Sequence, residues 1–252
     1  MSEEKVDQKF LDQEAAALRE LEDADIKRAK AYANDLIRGL KTVRTYPQGV
    51  TIFGSARLPQ DNRYCKKARE LGQLLEQNGN KVITGGGPGI MEGAKHGDFE
   101  YGGRRTGINI TLRHEQFPNP YLTDMLQFQY FFARKVMLAM SAKVYVFFPG
   151  GFGTMDEVSE ILVLMQEGKM PQMPFYFFGK SYWRPLIKVF ENKMHPMGMI
   201  SRQDMKIYKL TDDIREIVHA ANKIGHPKIK SNFYDGFSAQ AGMAELKDNL
   251  FD

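Results

Sequence analysis

Between residues 50 and 225, short apolar runs alternate with segments of helical periodicity, and this alternation restricts the fold more than any other feature of the chain. Runs of strand character stand at residues 50–54 (VTIFG), 81–84 (KVIT), 107–111 (GINIT), 143–148 (KVYVFF) and 174–178 (PFYFF). Residues 63–77, 90–98, 123–140, 154–168, 183–191 and 212–223 read as helices. Strands that alternate with helices at this spacing form βαβ units, and hence a parallel sheet covered by helices on both faces. With 42% hydrophobic and 26% charged residues, the chain can supply the core such a sheet needs.

Two flanks lie outside the alternation. Residues 6–40 are rich in Ala, Leu, Glu, Lys and Arg, and apolar residues recur there at Leu11, Ala15 and Leu18, then at Ile26, Ala29, Ala33, Ile37 and Leu40. Steps of three and four place these on one helical face, so residues 1–46 form an N-terminal helical extension, packed on its own domain or used in subunit association. Tyr46, Pro47, Gln48 and Gly49 break the pattern. Residues 47–225 form the main domain. The tail, 226–252, mixes Lys, Ser, Asn, Asp and Gly with isolated aromatics. It reads as poorly ordered, or as an arm that orders against a neighbour.

Three junctions where a strand ends have unusual composition: residues 53–57 (FGSAR), 84–92 (TGGGPGIME) and 148–157 (FPGGFGTMDE). Glycine allows a tight turn and a close approach of backbone to ligand. The helix that follows offers free N–H groups and the positive end of its dipole, which suits phosphate. In an open parallel sheet ligands sit at such carboxyl ends of strands, and the predicted fold is Rossmann-like, α/β, with a nucleotide at these loops. Neither long loop contains the Gly-Lys-Ser/Thr of a Walker A sequence, nor the dinucleotide spacing G-x-G-x-x-G in its context. ATP hydrolysis and NAD chemistry therefore lose their main support.

Other classes are bounded by what remains. The net charge of +4 comes without a block of five or six like charges, which gives nucleic acid no basic stripe to bind. Cys65 is the single cysteine, so there is no internal disulfide and no cysteine-based zinc site. His96, His114, His195, His219 and His226 are scattered without ligand spacing, and no metal or cofactor is expected. The start of the chain lacks the basic and apolar regions of a secretory signal, and no apolar stretch approaches the roughly 18–20 residues of a membrane helix. A cytoplasmic location, away from membranes, is the expectation.

The residues at 85–92 (GGGPGIME), 115–121 (EQFPNPY), 132–136 (FARKV) and 149–157 (PGGFGTMDE) resemble, in order and spacing, the LOG ("lonely guy") family of cytokinin riboside 5′-monophosphate phosphoribohydrolases. The resemblance runs from about residue 50 to residue 223 and leaves out the N-terminal extension. It implies hydrolysis of the N-glycosidic bond of a nucleoside 5′-monophosphate, either AMP or a cytokinin riboside monophosphate, to free base and ribose 5-phosphate. By motif, Arg134 and Glu157 are the implied catalytic pair. Gly85, Gly86, Gly87, Gly89, Gly150, Gly151, Gly153 and Thr154 are the implied phosphate and ribose cradle. Gly54, Ser55, Glu92 and Lys135 are added as lining residues. The family also implies a homo-oligomer, at least a dimer. Its proteins have often carried the label lysine decarboxylase, for which this chain offers no pyridoxal phosphate lysine context.

The chemistry fits these residue types. Cleavage of a ribosyl–base bond develops positive charge at the anomeric carbon, which a carboxylate can stabilise while it orients or deprotonates water. Arg134 cannot act as a base but can clamp phosphate or orient the carboxylate. Spacing alone leaves an alternative open: Thr154 and Glu157 also match a capping box, Thr as the cap and Glu reaching back from the third position. Arg134 is equally a helix-surface cation by position, and the aromatic cluster Phe128, Tyr130, Phe131 and Phe132 suggests core or subunit packing. The alternative function is a nucleotide or molybdenum-cofactor carrier that turns nothing over.

Overall fold

The structure, a computed structural model, describes residues 8–45, 48–99, 106–110 and 119–225. In chain order the elements are α1 (Gln8–Val43), β1 (Gly49–Phe53), α2 (Arg63–Gln77), β2 (Val82–Thr84), α3 (Ile90–Phe99), β3 (Thr106–Ile110), β4 (Asp124–Phe128), α4 (Phe131–Met140), β5 (Ala142–Phe147), α5 (Phe152–Gln166), β6 (Phe175–Phe178), α6 (Lys180–Val189), β7 (Tyr208–Thr211) and α7 (Ile214–Ile224). The seven strands form one parallel sheet in the order β4-β3-β2-β1-β5-β6-β7. The Rossmann-like α/β fold with an N-terminal helix is therefore present. The tail from residue 226 and most of the segment at 115–121 lie outside the described residues.

Strand periodicity divides the apolar residues between two cores. Val50, Ile52, Val144, Val146, Phe148, Tyr176 and Phe178 face α2, α3 and α7. Their neighbours in the strands, Phe53, Tyr145, Phe147, Phe175 and Phe177, face α4, α5 and α6. Alternate side chains of a strand point to opposite faces, and both faces are apolar because both are covered. On the second face an aromatic column crosses three strands. Phe147 stacks on Phe53 at 4.7 Å and on Phe175 at 4.6 Å, and Phe177 meets Trp183 of α6 at 4.7 Å.

Two strands were not expected. Residues 123–140 are not one helix: 124–128 form β4, with Leu126 and Phe128 buried and Met125 and Gln127 exposed, and the helix begins only at Phe131. That two-residue alternation is short enough to be absorbed into the helical pattern that follows it. The strand β7 lies at the sheet edge, half exposed, and so carries no apolar run. The buried side of α1 also differs from the expected stripe. Leu36, Leu40 and Val43 pack on the core, while Ile26 and Ile37 remain exposed.

The chain moves outward from β1 through β2, β3 and β4, then returns to lay β5 on the other side of β1. The loops after β1 and β5 therefore diverge to opposite directions, and a crevice opens at the carboxyl ends of the two strands.

Phe147 is fully buried, whereas Phe152, five residues on, is 95% exposed. Phe147→Ala should lower the unfolding free energy in urea by about 3–5 kcal/mol, and Phe152→Ala should leave it within about 0.5 kcal/mol of the parent. Equal effects would contradict this placement of the core.

Candidate active site

The three glycine-bearing loops meet in that crevice and are bonded to one another. Ser55 N–H donates to the Pro149 carbonyl at 3.0 Å, and the Ser55 carbonyl accepts from Ile90 N–H at 3.0 Å. The backbone of Ser55 thus joins the loop after β1 to the loops before α5 and α3. Gly89 sits at φ +68°, and a β-carbon there would lie 2.3 Å from the Ser55 carbonyl oxygen, so the junction closes only with glycine. Asn119 ties the outer side of the second loop, donating its N–H to Gly86 and its side-chain amide to the Gly87 carbonyl.

Between the loops lies a cavity of about 670 Å³, of the size that holds small-molecule ligands. Gly54, Ser55, Gly85, Gly150, Gly151, Gly153, Thr154, Arg134 and Glu157 all line it. Gly151 is the N-cap of α5, so the first-turn N–H groups of that helix lack partners within the helix and border the cavity.

Arg134 enters from α4. Its Nε donates to the Ile108 carbonyl at 2.9 Å. A β-carbon on Gly85 would fall 2.1 Å from its Nη2, so the absent side chain at Gly85 is the space the guanidinium occupies. Burial lowers the pKa of this group, and the negative charge of Glu157 opposes that shift.

Glu157 is 7% exposed, and among the described residues its Oε2 has no hydrogen-bond partner. Burial pushes its carboxyl from the ordinary 4.5 up to about 7, against the pull of Arg134 and with a smaller push from Glu160. The capping-box alternative does not hold. Because α5 starts at Phe152 with Gly151 as cap, Thr154 lies inside the first turn and Glu157 beyond the capping positions. The carboxyl is a buried, proton-binding group in a cavity wall, the environment that tunes carboxylates for acid–base work near neutrality.

Gly86, Gly87, Gly89, Glu92 and Lys135 are not among the lining residues. The first three shape the loop behind the cavity. Glu92 lies in the first turn of α3, where its charge, after burial, helps push the Cys65 thiol up to about 11. That lone cysteine is thus no nucleophile at neutral pH. Lys135 is ion-paired with Asp156 at 2.9 Å and Glu160 at 3.1 Å, joining α4 to α5. Among the described residues, no group of three or more His, Cys, Asp or Glu gathers to hold a metal, and no helix is long and apolar enough to cross a membrane.

Two further lining residues were not assigned to the site from the sequence. Phe131, from the aromatic cluster, is 57% exposed and lines the cavity, while Tyr130 and Phe132 pack edge-on against Tyr32 of α1. Tyr182 of α6 also lines it and donates its hydroxyl to the Gly150 carbonyl at 2.6 Å. Its only sequence signal is its place just after the next strand.

A family model described as "possible lysine decarboxylase" matches residues 91–221, just over half of the chain. A probable cytokinin riboside 5′-monophosphate phosphoribohydrolase of rice (Oryza sativa subsp. japonica) is 24% identical over 171 residues, 67% of this chain and 74% of the relative. The cytokinin riboside 5′-monophosphate phosphoribohydrolase of Rhodococcoides fascians is 24% identical over 153 residues, 59% of this chain and 77% of the relative. The chain belongs to the LOG family. Among solved structures, the molybdenum cofactor carrier protein of Chlamydomonas reinhardtii shares the fold, with a TM-score of 0.51 at 19% identity over 70% of this chain and 97% of that one. Membership in the LOG family agrees with the clustering of its glycine loops, arginine and glutamate around one cavity.

The raised carboxyl of Glu157 has a consequence for stability. The folded state binds this proton more tightly than the unfolded chain, so the contribution is complete below about pH 4.5 and is lost as pH rises through about 7. The loss amounts to about 3 kcal/mol at alkaline pH. Glu157→Gln mimics the neutral acid. Its unfolding free energy relative to the parent should therefore rise between pH 5 and pH 8; a flat difference would show an ordinary carboxylate.

Proposed function

We propose that this protein hydrolyses the N-glycosidic bond of a nucleoside 5′-monophosphate, releasing the free base and ribose 5-phosphate. The observation that carries the reading is Glu157: a buried carboxyl with an unpartnered oxygen, opposite Arg134, one turn beyond a helix N-terminus that borders the same cavity. The N–H groups at the start of α5 and the Gly150–Thr154 turn take the 5′-phosphate. This remote anchor holds the ribose so that its anomeric carbon faces Glu157. As the bond to the base breaks, positive charge grows on the sugar, and the Glu157 carboxylate stabilises it, accepts a proton from the attacking water and gives that proton up to the departing base. Arg134 holds the carboxylate and the substrate's negative charge in register.

The names of the relatives, phosphoribohydrolases acting on cytokinin riboside monophosphates, support this reading and bring AMP and N6-substituted adenosine monophosphates forward as substrates. The decarboxylase description of the family model finds less support. A pyridoxal phosphate enzyme holds its cofactor on a lysine amine. No lysine is among the described residues that line the cavity, and the motif's Lys135 is held by two carboxylates on α5. A homo-oligomer in the cytoplasm remains part of the proposal.

Incubation with AMP and separation of the products should yield adenine and ribose 5-phosphate, and a panel of nucleoside monophosphates ranks the bases. Glu157→Gln should lower kcat by at least about 100-fold while retaining the fold. Full turnover by that variant would remove Glu157 from the mechanism, and nucleotide binding without base release would favour a carrier.

Because the carboxylate form is the active one, kcat/KM should fall as pH drops through about 7 rather than through the ordinary value near 4.5. A profile flat from pH 5 to 8 would contradict this role.

A further inference from the structure

The N-terminal helix α1 lies outside the motif-bearing region, yet it reaches the turn that sets the catalytic arginine. The carboxylate of Asp35, itself 8% exposed, accepts from Gln129 N–H at 2.8 Å and from Tyr130 N–H at 3.3 Å. Arg38, one turn along, donates to the other Asp35 oxygen at 3.0 Å and to the Gln127 carbonyl, with its guanidinium 5.6 Å from the centre of the Phe128 ring. Two side chains of α1 thus hold three consecutive peptide groups between β4 and α4. Tyr32 adds edge-to-face contacts to Tyr130 and Phe132.

This grip matters because α4 has no cap of its own. Its N-cap residue is Tyr130, whose side chain makes no capping bond. The carbonyl of Tyr130 accepts the N–H of Arg134, the first helical bond to that residue. The backbone of one residue, Tyr130, therefore lies between the Asp35 carboxylate and the N–H of Arg134. A negative group at this end is also stabilised by the positive pole of the helix. The guanidinium has little freedom to follow a shifted backbone: its Nε is fixed on Ile108, and its Nη2 fills the space over Gly85.

We propose that Asp35 is a positioning residue for Arg134, and that α1 is a working part of the active-site frame. Its kinetic consequence rests on the phosphoribohydrolase reading; its structural content does not. Asp35 touches neither the cavity nor any reacting atom, and it acts by fixing where α4 begins. Arg38 supports it by holding the carboxylate and Gln127 together.

The test uses the full chain with arginine side chains labelled for nuclear magnetic resonance. In Asp35→Ala, the Arg134 Nε proton should exchange with solvent at least about ten times faster than in the parent, since a local grip worth one to two hydrogen bonds to a charged group is lost. The indole N–H of Trp183, bonded to the Phe147 carbonyl at 3.0 Å in the same core, should keep its rate. Asp35→Asn retains an acceptor and the side-chain volume and should show a smaller rise at Arg134 alone, which keeps the test available if the alanine variant does not fold. No change at Arg134, or an equal rise at Arg134 and Trp183, would overturn the proposal, since the first means no coupling and the second a general loosening. On a parent that releases adenine from AMP, kcat/KM should fall about tenfold in Asp35→Ala, and an unchanged value would overturn the proposal equally. A parent that releases no base defeats the nucleotide reading and leaves the exchange experiment intact.

Discussion

The backbone of Ser55 is the point on which the arrangement of the loops depends. Its N–H and its carbonyl are used by two different loops, so three chain segments that end separate parts of the sheet are held at one fixed distance. The placement of the cavity's loops follows from that junction. The loop after β5 is drawn in with its helix N-terminus, the second loop is drawn in by way of Ile90, and the space left between them is where Arg134 and Glu157 face each other. The junction tolerates no side chain at Gly89. Backbone bonding of this kind accounts for much of the glycine in these loops without any reference to ligand. The glycines first let the loops touch each other, and only then the ligand.

The energetics of Glu157 run against the fold. A carboxyl that binds a proton with a pKa of about 7 gives up stability when it ionises, and its unpartnered oxygen adds to that cost. Natural proteins leave few buried polar atoms unsatisfied, and those that remain need an explanation. Asp156 and Glu160, close by on α5, are each ion-paired with Lys135 of α4 at the margin of the site. Glu157 has been left out of that network, and a substrate group or water is the partner the cavity can offer.

The inner strands and their glycine junctions were legible in the amino-acid sequence because both faces of the sheet are apolar, which makes each strand a continuous apolar run, and each run is bounded by a turn. The strand β4 was not, since five residues of alternation merge into the helix pattern that begins at Phe131. The boundary that separates them is made by Asp35, 94 positions before Gln129. Local pattern carries no trace of such a contact. The capping-box reading failed for a related reason. The spacing of Thr154 and Glu157 is right for a cap, but the helix starts earlier, at Phe152, with glycines in a turn that reads as loop. Arg134 and Glu157 themselves came from a family motif rather than from spacing. Tyr182, which reaches the site from 32 residues beyond Gly150, has no motif at all.

The shared fold of a cofactor carrier and a hydrolase leaves the difference to side chains. Helix N-termini and glycine loops attract any phosphate-bearing ligand, whether it is to be kept or cleaved. A buried carboxyl in the same cavity is a liability for a carrier, because an anionic ligand and an ionised Glu157 repel each other and both lose by desolvation. For the proposed reaction the same group has the opposite sign. As a carboxylate it is unfavourable beside the bound phosphate, and it becomes favourable only as positive charge develops on the sugar, the condition for raising a rate rather than an affinity. A residue that is costly in the free protein and useful only to a cationic transition state therefore favours hydrolysis over storage, and Arg134 helps make that cost bearable.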